Sequence, residues 1–224
     1  MNLNKVQDIR NEFVRLLKNN ETVKDKSGSE VVEIINASFI ADEPAIFGTV
    51  NEDYVARELE WYRSMSLNVN DIPGGPPTIW KQVADKDGFI NSNYGWMIYS
   101  EENGNQFVKA AEELIKNPFS RRAAMIYNRP SMHVDYNKNG MSDFCCTFAH
   151  QYFIRDGQLH VCVFFRSNDG IFGFKNDFAW AKYVQEQLLG YINNRTNSVY
   201  GIGKIYWNAA SLHIYERHWN LITK

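Results

Sequence analysis

Between residues 144 and 167 the chain sets two apolar runs on either side of Arg155-Asp156-Gly157. An Asp-Gly pair between two such runs marks a tight β-hairpin, whose central residues take positive φ. In the second run, Leu159, Val161, Val163 and Phe165 alternate with His160, Cys162 and Phe164. Period-2 alternation in which both sets are largely apolar describes a strand covered on both faces. Such a strand lies inside a sheet, so the rest of the chain must supply the covering layers. Residues 174–193 supply one, a long helix with Phe178, Val184, Leu188 and Ile192 on its buried side. Further strands are expected at 31–40, at 124–127, and at 199–215, the last read as two strands around Asn208. Helical spacing also appears at 4–20 (Val6, Ile9, Phe13, Leu16, Leu17), at 52–66, and at 105–117, stopped by Pro118. The expected class is α+β: a mixed, twisted sheet with helices packed on one face.

A chain of 224 residues, 44% of them hydrophobic, fits a single domain spanning 1–224. The Pro/Gly-rich stretch 69–77 is too short for a linker and reads as an internal loop. A net charge of −2 gives no electrostatic case for nucleic-acid binding, so a bound anion must be held by a local cluster. The three cysteines, Cys145, Cys146 and Cys162, lack disulfide or zinc spacing and point to a reducing compartment. Residues 135–140 lack the acidic pattern of a calcium loop, so no metal is assigned. No apolar run approaches membrane-spanning length, and residues 1–20 lack the apolar core of a signal peptide. The expected location is cytoplasmic.

The chemistry-bearing residues concentrate in 143–177: Cys146, Arg166-Ser167, Asp169, and Asp177 near the start of a helix. A thiol beside fixed positive charge can act as a thiolate nucleophile. An arginine followed by a hydroxyl residue makes a phosphate clamp. Read bare, the same residues equally describe a buried cysteine, a surface arginine and a helix cap. Other candidates carry similar double readings. Lys26 in a Gly-containing loop and the pair Arg121-Arg122 are ordinary surface charge unless a phosphate is near. Glu58 on a helix reads as surface, Tyr94 as core packing, and His213 as a core histidine.

The order of these pieces decides between the readings. Cys146-x4-Gln151, then Arg166-Ser167-x-Asp169, Gly173, a polar residue at 177 and His213-x-Tyr215 together resemble the thymidylate synthase family. Matching pieces run from Asp25-Lys26-Ser27-Gly28 to His213-Ile214-Tyr215, nearly the whole chain. Two departures bring the resemblance nearest the phage branch that acts on deoxycytidylate (dCMP). The family's histidine after the catalytic cysteine is here Thr147, and its uracil-reading asparagine is here Asp177.

The resemblance implies a thymidylate synthase-like fold and a homodimer whose sheets stack back to back, with shared active sites. It implies Cys146 as nucleophile at carbon 6 of the ring, its pKa lowered by Arg166. Glu58 and Tyr94 would help remove the carbon 5 proton, and Asp177 would select cytosine. Lys26, Arg121, Arg122, Arg166 and Ser167 would hold phosphate, the Arg121-Arg122 pair from the other subunit, and His213 and Tyr215 the sugar. Trp80 and Asp169 would hold the co-substrate, 5,10-methylenetetrahydrofolate, with Val83 where the family often has a second tryptophan. The implied reaction gives 5-hydroxymethyl-dCMP and tetrahydrofolate. The alternatives are a thymidylate synthase variant, a hydroxymethylase for deoxyuridylate (dUMP) or the ribonucleotide CMP, or a nucleotide-binding regulator without catalysis.

Overall fold

The computed structural model describes residues 4–223; Met1–Leu3 and Lys224, the outermost positions of the expected span 1–224, lie outside the described residues. Helix α1 (Val6–Lys18) buries Val6, Ile9, Phe13 and Leu16, the stripe expected from its spacing. Strand β1 (Val23–Lys24) leads through the Lys26 loop into β2 (Glu30–Ile40). Helix α2 (Glu52–Ser64) starts on Asn51, whose side chain accepts from the Tyr54 N–H at 3.0 Å.

Two six-residue helices follow that the sequence does not announce, α3 (Thr78–Val83) and α4 (Tyr94–Tyr99). The pattern at 91–96 predicts a turn into an aromatic segment, and tertiary bonds convert it to helix. Asn93, fully buried, caps α4 by accepting from the Trp96 N–H at 2.8 Å. Its amide donates to the Trp61 and Ser66 carbonyls at 3.1 and 2.8 Å, tying the start of α4 to α2 and the segment after it. Helix α5 (Gln106–Lys116), strand β3 (Ala124–Ile126) and the short α6 (Met132–Asp135) complete the middle of the chain.

Strands β4 (Thr147–Arg155) and β5 (Gln158–Phe165) form the expected hairpin, with Asp156 and Gly157 at φ 51° and 71°. The two-residue β6 (Asn168–Asp169), the long helix α7 (Gly173–Asn193) and β7 (Gly201–Tyr215) close the sheet. The break expected near Asn208 does not occur, and β7 is one strand of 15 residues. Asn208 is absorbed into the sheet: it donates to the Val163 carbonyl at 3.1 Å and accepts from the Ser38 hydroxyl at 3.0 Å.

The strand order is β1-β2-β7-β5-β4-β3, with β6 also on β7. β5 and β6 run parallel to β7 and the other pairs are antiparallel, so the sheet is mixed as expected. Between β2 and β7 the register keeps one offset from Val31↔Tyr215 to Ile40↔Tyr206, skipping Asn36. The buried positions nevertheless change parity at one level: Ile214 and Leu212 give way to Ala209 and Trp207 in β7, and opposite them Val32 and the half-buried Ile34 give way to Ala37 and Phe39 in β2, with Val31 at the strand's start buried as well. Asn36, at φ 56°, lies at this level. The β4–β5 register also slips, between Thr147 and Ala149, directly after Cys146.

Helix α7 packs on the sheet through Phe174, whose ring lies 6.0 Å from Phe39 and 4.7 Å from Trp207. The other set of side chains on the sheet is less covered. Phe164 is 37% exposed, Phe148 44% and Ile35 69%.

Gly95 shows how tightly α4 is pressed on α2, since a Cβ there would lie 1.7 Å from the Tyr62 carbonyl oxygen. Backbone, not a movable side chain, blocks the space. Gly95→Ala is therefore expected to destabilise the fold by about 3 kcal/mol or more, measured as a fall in urea midpoint.

Candidate active site

The β4–β5 hairpin returns the chain so that Arg166 lies beside Cys146. The Arg166 N–H donates to the Cys146 carbonyl at 2.9 Å. The guanidinium donates through Nε to the Cys145 carbonyl at 3.0 Å, and through Nη2 to the Phe144 carbonyl at 2.6 Å and the Cys146 Sγ at 3.5 Å. It also lies over the Phe144 ring, 4.9 Å from its centroid. Cys145 is fully buried and its thiol donates to the Thr147 carbonyl at 3.3 Å, leaving Cys146 as the cysteine that meets Arg166. Arg166 does draw the Cys146 thiol toward ionisation, as expected. Burial outweighs it and, helped by the Asp177 charge, pushes the thiol up to about 11. The lowered pKa inferred from Arg166 alone is thus corrected: at neutral pH the proton stays on sulfur.

Asp177 projects from the second turn of α7. Its Oδ2 accepts from Asn168 Nδ2 at 2.7 Å, and Asn168 Oδ1 accepts from the Trp207 indole N–H at 3.2 Å. Burial, reinforced by the nearby Glu58 charge, raises the Asp177 carboxyl to about 8; the Tyr94 hydroxyl and the Asn168 amide oppose this to a smaller extent. At neutral pH the group is therefore mainly a neutral acid.

Glu58 is 4% exposed rather than on the surface. Its Oε1 accepts from the Tyr54 hydroxyl at 2.5 Å and from the Trp80 indole at 3.1 Å. Burial raises its pKa too. The Tyr94 ring is buried against Tyr62 at 5.1 Å, and its hydroxyl accepts from Thr147 at 2.8 Å. Thr147, at the family's histidine position, is thus closed on Tyr94 and fully buried. Val83 is half-buried at the end of α3, one turn past Trp80.

His213 and Tyr215 alternate with the buried Leu212 and Ile214 near the end of β7, their rings 5.2 Å apart and perpendicular. Asp169 pairs with His213 in the sheet register. Its two oxygens accept the N–H groups of Ile171 and Phe172 at 3.1 Å each, shaping the turn into α7. Ser167 is half-buried between Arg166 and Asn168.

The remaining basic residues stand apart from this cluster. Lys26 is exposed on a loop braced by Asp25 Oδ1, which accepts from the Ser27 and Ser29 N–H groups at 2.7 and 3.1 Å. Asp25 is near enough to act electrostatically on His213 and Tyr215, which brings the loop toward the end of β7. Arg121 and Arg122 are exposed ahead of β3, with Arg122 paired to Glu113 at 3.0 Å. Among the described residues no hydrogen bond links them to Cys146 or Asp177.

Sequence reasoning does not single out Asn168, Trp207 or Tyr54 as site residues. Tyr54 had a local signal, being four residues before Glu58 on one helix. Asn168 and Trp207 had none, because each acquires its role only through the fold. No three His, Cys, Asp or Glu side chains gather as a metal site among the described residues. No helix among them is long and apolar enough to cross a membrane.

The thymidylate synthase family model matches residues 13–224. The deoxycytidylate 5-hydroxymethyltransferases of Enterobacteria phages T4 and T6 are each 53% identical to the chain over 218 residues, covering 97% of it and 89% of those proteins. A thymidylate synthase of Bacillus subtilis subsp. natto is 29% identical over 72% of the chain and 57% of that protein. The solved structure of thermostable thymidylate synthase A from Bacillus subtilis superposes with a TM-score of 0.71 at 23% identity, over 98% of this chain and 83% of that one. With one continuous match from the first helix to the last strand, the chain belongs to the thymidylate synthase family.

Proposed function

We propose that this chain, as a single domain over 1–224, transfers a one-carbon unit to carbon 5 of dCMP and hydrates it, giving 5-hydroxymethyl-dCMP. The observation that carries the reading is Asp177: a half-buried carboxyl, raised to about 8, near enough to the Cys146 thiol to act on its ionisation. A neutral acid can donate to the cytosine ring nitrogen while accepting from the exocyclic amine. As sulfur adds to carbon 6 it gives up its thiol proton to water, and the Asp177 proton passes to the ring nitrogen and balances the electrons pushed onto the ring. This refines the picture of a resting carboxylate facing a protonated ring. A protonated Asp177 also removes a negative charge that otherwise opposes the Cys146 thiolate.

Addition of sulfur makes carbon 5 nucleophilic. Methylenetetrahydrofolate, when bound, supplies the one-carbon unit. The residues suit such a ligand: Trp80 offers an indole plane, Asp169 a carboxylate, and Ile79 and Phe172 beside them stand 60% and 56% exposed, as apolar walls for a flat ring would. In this reading Glu58, oriented by Tyr54 and Trp80, and Tyr94 help the carbon 5 proton leave. Arg166 and Ser167, with Lys26, hold phosphate, and His213 and Tyr215 the sugar.

A homodimer completes the site in this reading. Exposed Phe164, Phe148 and Ile35 form an apolar sheet surface suited to burial against a second copy. Arg121 and Arg122, remote from their own cluster, then reach the partner's phosphate. Incubation with each pyrimidine monophosphate and methylenetetrahydrofolate, with the product identified by mass, tests the assignment; hydroxymethyl product from dUMP or CMP in preference to dCMP would refute it.

Cys146→Ala should abolish both turnover and exchange of the carbon 5 hydrogen, while Cys145→Ala leaves both largely intact. A lethal Cys145 change with a tolerated Cys146 change would mean that the other sulfur is the nucleophile. Inactive Cys146→Ala and inactive Arg122→Ala proteins, mixed and allowed to exchange subunits, should recover up to about a quarter of native activity, because hybrid dimers hold one intact site. No recovery despite demonstrated exchange rejects the shared site. Asp177→Asn should lose about a hundredfold or more of dCMP turnover, since an amide has no proton to give, and its preference should move toward dUMP. Paired kcat/KM measurements on both nucleotides read this out, and an unchanged preference would place base recognition elsewhere.

A further inference from the structure

Asn168 is 3% exposed and makes two side-chain hydrogen bonds of opposite sense. Its Oδ1 accepts from the Trp207 indole N–H at 3.2 Å, and its Nδ2 donates to Asp177 Oδ2 at 2.7 Å. An indole N–H is a donor only. The amide therefore cannot turn over without setting one N–H against another. Trp207 has no freedom either: it is fully buried, its ring 4.8 Å from Phe165 and 4.7 Å from Phe174. The hydrophobic core thus dictates that Asp177 Oδ2 receives a hydrogen bond on this side.

A neutral carboxylic acid is by itself a poor discriminator between pyrimidines. Cytosine presents an acceptor at its ring nitrogen and a donor at its amine. Uracil presents a donor and then an acceptor at the same two places. A carboxyl group can match either pair by carrying its proton on one oxygen or the other. Holding one oxygen as acceptor removes that freedom. With Oδ2 held by Asn168, the proton belongs on Oδ1. The register that pairs with cytosine then has Oδ1–H donating to the ring nitrogen and Oδ2 accepting from the amine. Uracil in the same place meets donor with donor and acceptor with acceptor, a costly arrangement once ligand and carboxyl shield each other from water.

We infer that Asn168, locked by Trp207, is a positioning residue that fixes which oxygen of Asp177 carries the proton and so makes that carboxyl specific for cytosine. The inference rests on the proposed role of Asp177 as the base reader. It has a consequence for the Asp177→Asn protein. There Asn168 holds the new amide with its oxygen inward and its NH2 outward, still the cytosine register. Reading uracil requires the amide to turn, which places its NH2 against the NH2 of Asn168. The shift toward dUMP is therefore incomplete while Asn168 and Trp207 remain.

Release of tritium from carbon 5 of dUMP tests this in four proteins: native, D177N, N168D/D177N and W207F/D177N. The carboxylate introduced by N168D would accept from both Trp207 and the turned amide. The phenyl ring introduced by W207F has no N–H, which would free Asn168 to turn its own oxygen outward. Each double variant should release tritium from dUMP about tenfold faster than D177N, the scale of one buried hydrogen bond restored. A merely structural Asn168 predicts the reverse, because added damage does not create activity. If N168D/D177N fails to fold, W207F/D177N, which keeps an aromatic ring in the core, decides the matter. A folded double variant no faster than D177N overturns the inference. Conversion of dCMP by the native protein is the separate control: its failure rejects the base-reader role itself, whereas its success with no gain in the double variants rejects only the lock.

Discussion

Desolvation of the polar groups gathered between α2, α7 and the start of β4 governs the protonation of Cys146, Asp177 and Glu58. Asp177 and Glu58 are both pushed up by desolvation, and the Glu58 charge further opposes ionisation of Asp177. The same desolvation overrides Arg166 at the Cys146 thiol. Negative charge is costly here, and it is avoided by holding protons on the Cys146 sulfur and the Asp177 carboxyl. Ionisation of one of these two groups is thus linked to proton transfer by the other.

That desolvation comes from the aromatic core. Tyr62 packs on Tyr94 and Trp180, each ring 5.1 Å away, while Trp61 backs Trp80 at 5.3 Å. The indoles of Trp80 and Trp207 then direct their single N–H groups to Glu58 and Asn168, the residues that carry or position the acids. Packing and chemistry are not separable here: the rings that desolvate the polar groups are the rings that aim the polar atoms.

Much of this was legible in the sequence where a period or a spaced motif carried it. The hairpin at Asp156-Gly157, the stripe of α7 and the mixed sheet follow from alternation and helical spacing, and the family from Cys146, Arg166-Ser167 and His213-x-Tyr215. What failed to show was whatever depends on distant partners. Helix α4 is held by Asn93 bonding to Trp61 and Ser66, and Asn168 meets Trp207 from 39 positions away. β7 runs on past Asn208 because neighbouring strands absorb that side chain. The sign of the Cys146 shift escaped for a related reason: a nearby positive charge can be read from a motif, but depth of burial cannot.

The shared change of parity in β2 and β7 constrains how this chain can vary. The two strands keep one register offset while switching which side chains they bury, so each paired position has a fixed partner and a fixed destination. Insertion or deletion of one residue in β2 alone would send Phe39 and Ala37 outward on one side of the switch, or strand Val32 against solvent on the other. Only a matched change in β7 restores both. Descendants of this sequence are therefore free to alter length in the loops but are held to a joint length in these two strands, although their paired residues Ser38 and Asn208 lie 170 positions apart along the chain.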